Sequence, residues 1–447
     1  MLKLVSNCHQ FKFIKKIAMY TSKALIFQKS LLTSFLFLIL LSANSYAEVS
    51  YQEQEPYTAF KGKVVDSHTG DDIALAMLNL EGTNISTITN SEGEFSIKIP
   101  GTMSEGVIRI SFLGYQSKSL PLSYFKSEDT KIELSEVIEE LPEINLTDNG
   151  NAKDLINAVF KKSGDNYSNQ KTLLTAFYRE TIQKRRRNVS LSEAVVKVLK
   201  QPYTNSKKDQ VSIYKARKRT DYERLDTLAL KLRGGPYNTV FLDVMKYPTF
   251  LFSGTISDSY TFKFDKATKV NNKLIYVVNF TENDHSQPWY SGKMYVDSES
   301  LALIKATFSM NVDDRDKAAA IFVQKKPNAA DVYPVDVVYQ VDYRESNGKW
   351  YYSYSRAQLE FVVNWKNKLF NSRYTLNGEM AVTNREKYAN ENLRKTDEFI
   401  NTTVVMVDDV SGFTDMDFWG DQNIIEPEKS IQSAIEKIQR KLEREID

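Results

Sequence analysis

Proton transfer near neutral pH is most often histidine work, and beyond residue 47 this chain has only His68 and His285 of its three histidines. Its single cysteine is Cys8. A histidine-centred triad or zinc site therefore has few ways to exist. His-Glu-x-x-His and Gly-x-Ser-x-Gly are both absent, so metallopeptidase and serine-hydrolase readings lack their signatures. His285 lies between Asp284 and Ser286 in a polar stretch before Trp289, and His68 lies in a turn-like stretch. Asp313-Asp314-Arg315-Asp316 offers hard oxygen ligands of the kind calcium prefers, without the glycine and terminal glutamate of an EF-hand loop; a solvated acidic loop is the plainer reading. No catalytic, cofactor-binding or metal-ligating residue is assigned, no cofactor is expected, and the protein is expected not to be an enzyme. A site built from carboxylates alone, as in glycosidases, stays open as an alternative.

Two further groups could bind rather than react. Lys184-Arg185-Arg186-Arg187 and Lys215-Ala216-Arg217-Lys218-Arg219 are basic runs that could meet anionic lipid, glycan or an acidic partner face; the plainer reading is exposed, charged hairpin ends. Trp350, Tyr352 and Tyr354 alternate, which places them on one strand face. There they could line a ligand cavity or stack on sugars, or simply be core.

The elements that must position these residues begin after a targeting segment. Lys23 and Lys29 precede an apolar run at Leu31–Ala43, and Ser45-Tyr46-Ala47 is a small-x-small cleavage site, so residues 1–47 read as a signal peptide, with Met19 a second candidate start. Those 47 residues hold six lysines and no acid; removing them from 59 basic and 57 acidic residues leaves a net charge of −4. Such a body has no bulk basic field for nucleic acid. Export without a usable disulfide suits a Gram-negative envelope, either the periplasm or the outer-membrane surface.

The chain then divides. Short strands with regular turn signals are expected at Phe60–Val65, Ile73–Leu80, Thr83–Thr89, Phe95–Ile99, Val107–Phe112, Gln116–Leu122 and Lys131–Leu134, a pattern typical of a sandwich over residues 59–135. The clearest of them follows Asn90, Ser91 and Gly93, where Phe95, Ile97 and Ile99 alternate with Glu94, Ser96 and Lys98. Residues 136–151 read as an acidic linker, and Ala152, Leu155, Ile156 and Val159 fall at helical spacing. A β-rich body spans 152–425, with Gly234-Gly235-Pro236 as a turn and Asn347-Gly348 as the strongest hairpin signal. Ile431, Ala434, Ile435, Ile438 and Leu442 form the apolar stripe of a final helix at 426–447.

Several of these stretches carry resemblances. Lys61–Asp66, Ala76–Thr83, Thr89–Phe95 and Ile108–Tyr115 together resemble the carboxypeptidase-regulatory-like domain, which implies a transthyretin-like β-sandwich and an attachment module without catalytic residues. Tyr290–Asp297 continuing to Leu301 is similar to the repeating hairpin of outer-membrane lipoprotein carriers, which implies a half-open barrel over an apolar cavity. Phe177–Glu180, Ser192-Glu193-Ala194, Gly234–Pro236 and Phe418–Pro427 resemble a broad family of exported, regulatory-domain-bearing envelope proteins with no assigned reaction. The expectation is a mainly β protein with some helix: a transthyretin-like sandwich, then a large curved antiparallel sheet with flanking helices. Its expected role is non-catalytic binding, with another envelope protein or an apolar or glycan ligand as partner, and with no transmembrane helix in the mature chain. Carriage of an acyl chain in a half-barrel is the first alternative.

Overall fold

Alternating apolar and polar residues need a partner strand for every backbone group, and this chain supplies two sets of them. The computed structural model describes residues 57–137, 151–221, 234–252, 259–270, 273–323, 326–388, 399–406, 411–413, 415 and 417–446, all inside one unit, Glu55–Asp447. The predicted signal segment and nearly all of the predicted linker lie outside the described residues. The described residues are mainly β, with 50% strand and 14% helix.

The first set is a two-sheet sandwich. Strands β1 (Tyr57–Asp66), β4 (Glu94–Pro100) and β7 (Thr130–Leu134) form one sheet, in the order β4-β1-β7. Strands β2 (Met77–Leu80), β3 (Ser86–Ile88), β5 (Val107–Ser111) and β6 (Lys118–Pro121) form the other, in the order β3-β2-β5-β6. Val64, Leu78, Phe95, Ile97, Ile108, Ile110 and Ile132 meet between them. The predicted strand at Ile73–Leu80 begins only at Met77, because Leu75 sits at φ 61 and breaks the extended backbone.

The turn before β4 is built as its residues suggest. The Asn90 side-chain oxygen accepts from the N–H groups of Glu92 and Glu94, both at 2.9 Å. Gly93 sits at φ 71, where a Cβ would lie 2.6 Å from the Val64 carbonyl oxygen. Gly93→Ala is therefore expected to lower stability by about 1–2 kcal/mol from the left-handed backbone alone, with the clash added. A thermal melt matching the wild type would contradict this.

The second set is one ten-stranded antiparallel sheet, ordered β10-β9-β8-β17-β16-β15-β14-β13-β12-β11. Its strands are β8 (Thr172–Lys184), β9 (Arg187–Lys200), β10 (Gln210–Thr220), β11 (Tyr260–Val270), β12 (Lys273–Glu282), β13 (Tyr290–Asp297), β14 (Leu303–Met310), β15 (Ala330–Ser346), β16 (Lys349–Trp365) and β17 (Ser372–Lys387). The last strand returns to pair with the first, so β17 and β8 meet mid-sheet. The sheet is curved and does not close into a barrel.

One face of this sheet carries the main core. Helix α1 (Ala152–Lys161), capped by Asn151, buries Ala152, Leu155, Ile156 and Val159 there, as their spacing predicts. The Gly-Gly-Pro turn, with Gly234 at φ 112 and Gly235 at φ 49, sends Tyr237, Val240, Leu242 and Phe252 onto the same face. Helix α2 (Arg315–Phe322) flanks β15, and helix α3 (Lys429–Ile446) seats Ile431 and Ile435 against Leu191 and Phe413. Among the described residues, no helix is long and apolar enough to cross a membrane.

Candidate functional site

The sandwich packs on the opposite face of the large sheet, and a buried ion cluster organises that joint. Residues two apart on a strand share a face, so Phe177 and Arg179 of β8, Glu193 and Val195 of β9, and Arg217 of β10 all look the same way. Arg179 donates to Glu193 at 2.9 Å, and Arg217 donates to the other Glu193 oxygen at 2.9 and 2.7 Å. Arg179 and Glu193 are each 1% exposed. Burial alone would raise the Glu193 carboxyl, but the Arg179 and Arg217 charges outweigh it and hold it below the usual range.

The two guanidiniums have donors to spare, and these fix the C-terminal segment. Arg179 reaches the Ile425 carbonyl and Arg217 the Gly412 carbonyl, at 2.8 and 2.9 Å. Arg217 also lies over the rings of Phe413, Phe418 and Trp419. The segment in turn holds the sandwich. Asn423 exchanges two hydrogen bonds with the Lys98 backbone of β4, Thr87 donates to the Ile424 carbonyl, and Asn90 donates to the Glu426 carbonyl. Ile88, Phe177, Val195, Tyr354, Phe418, Trp419 and Ile425 fill the space between.

Beside this joint, sandwich and sheet enclose a crevice of about 290 Å³. Asn79, Arg109 and Ser111 line it from the sandwich, and Asp297, Lys305, Asp342, Arg344, Trp350 and Tyr354 from the sheet. Arg344 donates to Asn79 at 2.9 Å across the boundary. Burial, and after it the Arg385 charge, pulls Arg344 down to about 10, which leaves it protonated at neutral pH. Burial pushes the Asp342 carboxyl up, against the pull of Lys305 and of a hydrogen bond from Gln340. Asp297 is 1% exposed. Its Oδ1 accepts from the Ser300 N–H at 2.8 Å and the Ser300 hydroxyl at 2.7 Å, closing the β13–β14 turn, while its buried Oδ2 has no partner. Most buried polar atoms have a partner, so this one calls for an explanation.

The three aromatics read as one face are split. Tyr343 pairs with Tyr352 and Asp342 with Tyr354, so Ser353 is an extra residue, and this bulge resets the alternation. Tyr352 turns to the helix-covered face, where it meets Ser355 at 2.7 Å. Tyr354 turns to the sandwich face and donates to Glu379 at 3.1 Å. Trp350 and Tyr354 line the crevice; Tyr352 does not.

The other sequence candidates fall elsewhere. His285 stands 3.3 Å from Glu282 with its ring exposed, and Asp284 caps the local turn by accepting from the Ser286 N–H. Asp314 accepts from the Lys317 N–H and so caps α2 rather than joining an ion site. Among the described residues, no group of three or more His, Cys, Asp or Glu is placed to hold a metal. The basic run at Lys215–Arg219 is not an exposed hairpin end: it lies within β10, with Arg217 in the ion cluster and Lys218 buried and donating to the Met406 carbonyl. Arg185, Arg186 and Arg187 are exposed, and Lys184 is half-buried.

A second polar cluster, on the helix-covered face, escapes sequence reasoning. Asp243 accepts from Tyr203 at 2.7 Å and Tyr343 at 2.8 Å, and Lys200 sits 2.5 Å from both Asp243 and Asp209. Burial alone would lower Lys200, and Asp209 and Asp243 together raise it instead. The cluster pins the 234–252 segment to the sheet.

Residues 60–146 match the CarboxypepD_reg-like domain. This chain carries that domain at its N-terminal side. No curated protein matches the chain. Solved structures similar to it include a Vibrio parahaemolyticus domain described as an outer membrane lipoprotein-sorting protein, 12% identical, covering 55% of this chain and 95% of that one at a TM-score of 0.25. A LolA superfamily protein from Nitrosomonas europaea is 9% identical over 55% and 98% of the two chains, at a TM-score of 0.22. The Pseudomonas aeruginosa MucA/MucB complex structure matches at 13% identity over 53% and 99%, with a TM-score of 0.17. Scores this low carry no ligand across to this chain.

Proposed function

We propose that this is a non-catalytic binding protein of the cell envelope, and that the crevice between sandwich and sheet holds a polar group of its ligand or partner. The observation that supports this most is that Asp297, whose buried Oδ2 has no partner, lines this crevice with Arg109, Arg344 and Lys305, the last 3.7 Å from Asp342. An acceptor beside several cations suits a group with both a hydrogen-bond donor and an anionic end, as an acidic glycan or a peptide segment offers.

Asp297→Asn tests the reading cleanly. Asparagine keeps the turn-closing oxygen but replaces the orphan acceptor with a donor. Native mass spectrometry of the chain purified from its own envelope should show a bound species that the variant loses, with melting temperature unchanged. A species retained equally by both proteins, or carried by neither, would sink the proposal.

Carriage of an apolar ligand is the second reading, favoured by the curved, open sheet. Tyr237, Val240, Leu242 and Phe252 occupy the helix-covered face, so a cargo there has to displace the 234–252 segment.

A further inference from the structure

Two hairpin tips meet at the end of the large sheet remote from the crevice. The β8–β9 turn carries Arg185 and Arg186, and the β16–β17 loop carries Leu369 and Phe370. Tyr374 pairs with Lys184, and the Arg185 N–H donates to the Arg373 carbonyl at 3.4 Å, so the tips are side by side. Leu369 is 96% exposed and Phe370 76%. Two adjacent large apolar side chains left this open on a loop tip call for a partner surface. Around them stand exposed Arg185, Arg186, Arg187, Lys366, Lys368 and Arg373, with two acids among them, Glu360 paired to Arg373 and Asp331 paired to Lys326 beside Lys366.

The turn itself argues that the charge is wanted there. Arg185 and Arg186 both have positive φ, 48 and 69, in a two-residue hairpin turn. That turn type favours Asn-Gly, and arginine in the left-handed region is strained. The β15–β16 hairpin, at the other end of β16, uses Asn347-Gly348 at φ 52 and 70 for the same geometry. The sheet thus accepts strain at one tip and avoids it at the other, a local inconsistency typical of functional positions.

We propose that this tip docks on an anionic lipid surface, with Leu369 and Phe370 entering the interface and the arginines and lysines meeting headgroup phosphates. Apolar side chains flanked by basic ones suit a bilayer interface, where long cationic side chains keep their charge at headgroup level. An acidic protein face with an apolar pocket is the competing occupant, and binding to vesicles separates the two. From Trp365 to Trp350 is about 50 Å of strand contour at about 3.3 Å per residue, so a chain docked by this tip holds its crevice away from the bilayer.

Cosedimentation of the full chain with vesicles tests this. The chain should bind phosphatidylcholine vesicles containing phosphatidylglycerol, and bind pure phosphatidylcholine far more weakly. Removing two charges in R185N/R186G should cost about thirtyfold in affinity, and L369S/F370S about tenfold or more. R185N/R186G suits its turn better than the native pair, so its melting temperature should hold or rise, which separates lost docking from lost folding. Failure to bind the anionic vesicles, as an acidic-protein partner would give, overturns the proposal. So does equal binding to both vesicle types, or binding that neither variant weakens.

Discussion

Glu193→Ala is expected to destabilise the protein by about 3–5 kcal/mol, because it leaves Arg217 buried without its carboxylate and Arg179 with only Glu379, 3.7 Å away. The damage should be local before it is global. The two guanidiniums hold the Gly412 and Ile425 carbonyls, and the segment between them holds β4 of the sandwich through Asn423. Hydrogen exchange should therefore rise first in residues 417–426 and in β4, with the β15–β16 hairpin unaffected. The penalty comes from stranded charge rather than from a lost attraction, so adding Arg179→Met and Arg217→Met to Glu193→Ala should restore part of the loss. Acid should mimic the substitution. A carboxylate whose folded pKa is depressed contributes stability above the ordinary glutamate range, and that contribution disappears as pH falls through and below it. Guanidinium unfolding of the single and triple variants checks the account; a single-variant loss under about 1 kcal/mol would refute a stranded charge.

Asp243→Ala should cost a similar amount, about 3–5 kcal/mol, by a different route. It removes one of two carboxylates from Lys200, strands the Tyr203 hydroxyl and leaves that of Tyr343 with only the Met245 N–H, among buried aromatic rings. A buried hydroxyl without a partner costs about 1–3 kcal/mol, so Tyr203 alone accounts for a good share of the loss. Because Asp243 ties the 234–252 segment to the sheet, the variant should expose the helix-covered face. Binding of an apolar dye, absent in the wild type, should accompany the lowered unfolding midpoint. Asp243→Asn, which still accepts hydrogen bonds, should lose less. Equal loss in both variants would mean that the charge, and not the hydroxyl partners, dominates.

The parts of the fold that were legible in sequence are those specified by local rules. The Asn90–Gly93 turn, the Asn347-Gly348 hairpin, α1 and the stripe of α3 each follow from a few neighbouring residues. Long-range choices were not legible. Whether β10 is a strand depends on Glu193 waiting on β9 to receive Arg217, and composition alone makes Lys215–Arg219 look exposed. The shared face of Trp350, Tyr352 and Tyr354 fails because one bulge at Ser353 reverses a period of two, and bulges leave no signature in a stretch of serines and tyrosines. The crevice takes its charged and amide side chains from β2, β5, β12, β13, β14 and β15, which no spacing rule brings together. Phe177–Glu180, Ser192–Ala194 and Phe418–Pro427 were visible as motifs, and their meeting around Glu193 explains them as structural.

A photo-crosslinking residue at Ser111, inside the crevice, tests the binding claim most directly when compared with one at Tyr124, exposed on the outside of the sandwich. Irradiated in intact envelopes, the Ser111 position should give one discrete adduct that Asp297→Asn abolishes, and the Tyr124 position should not give it. No adduct at Ser111, or the same adducts from both positions, would contradict a binding site between sandwich and sheet.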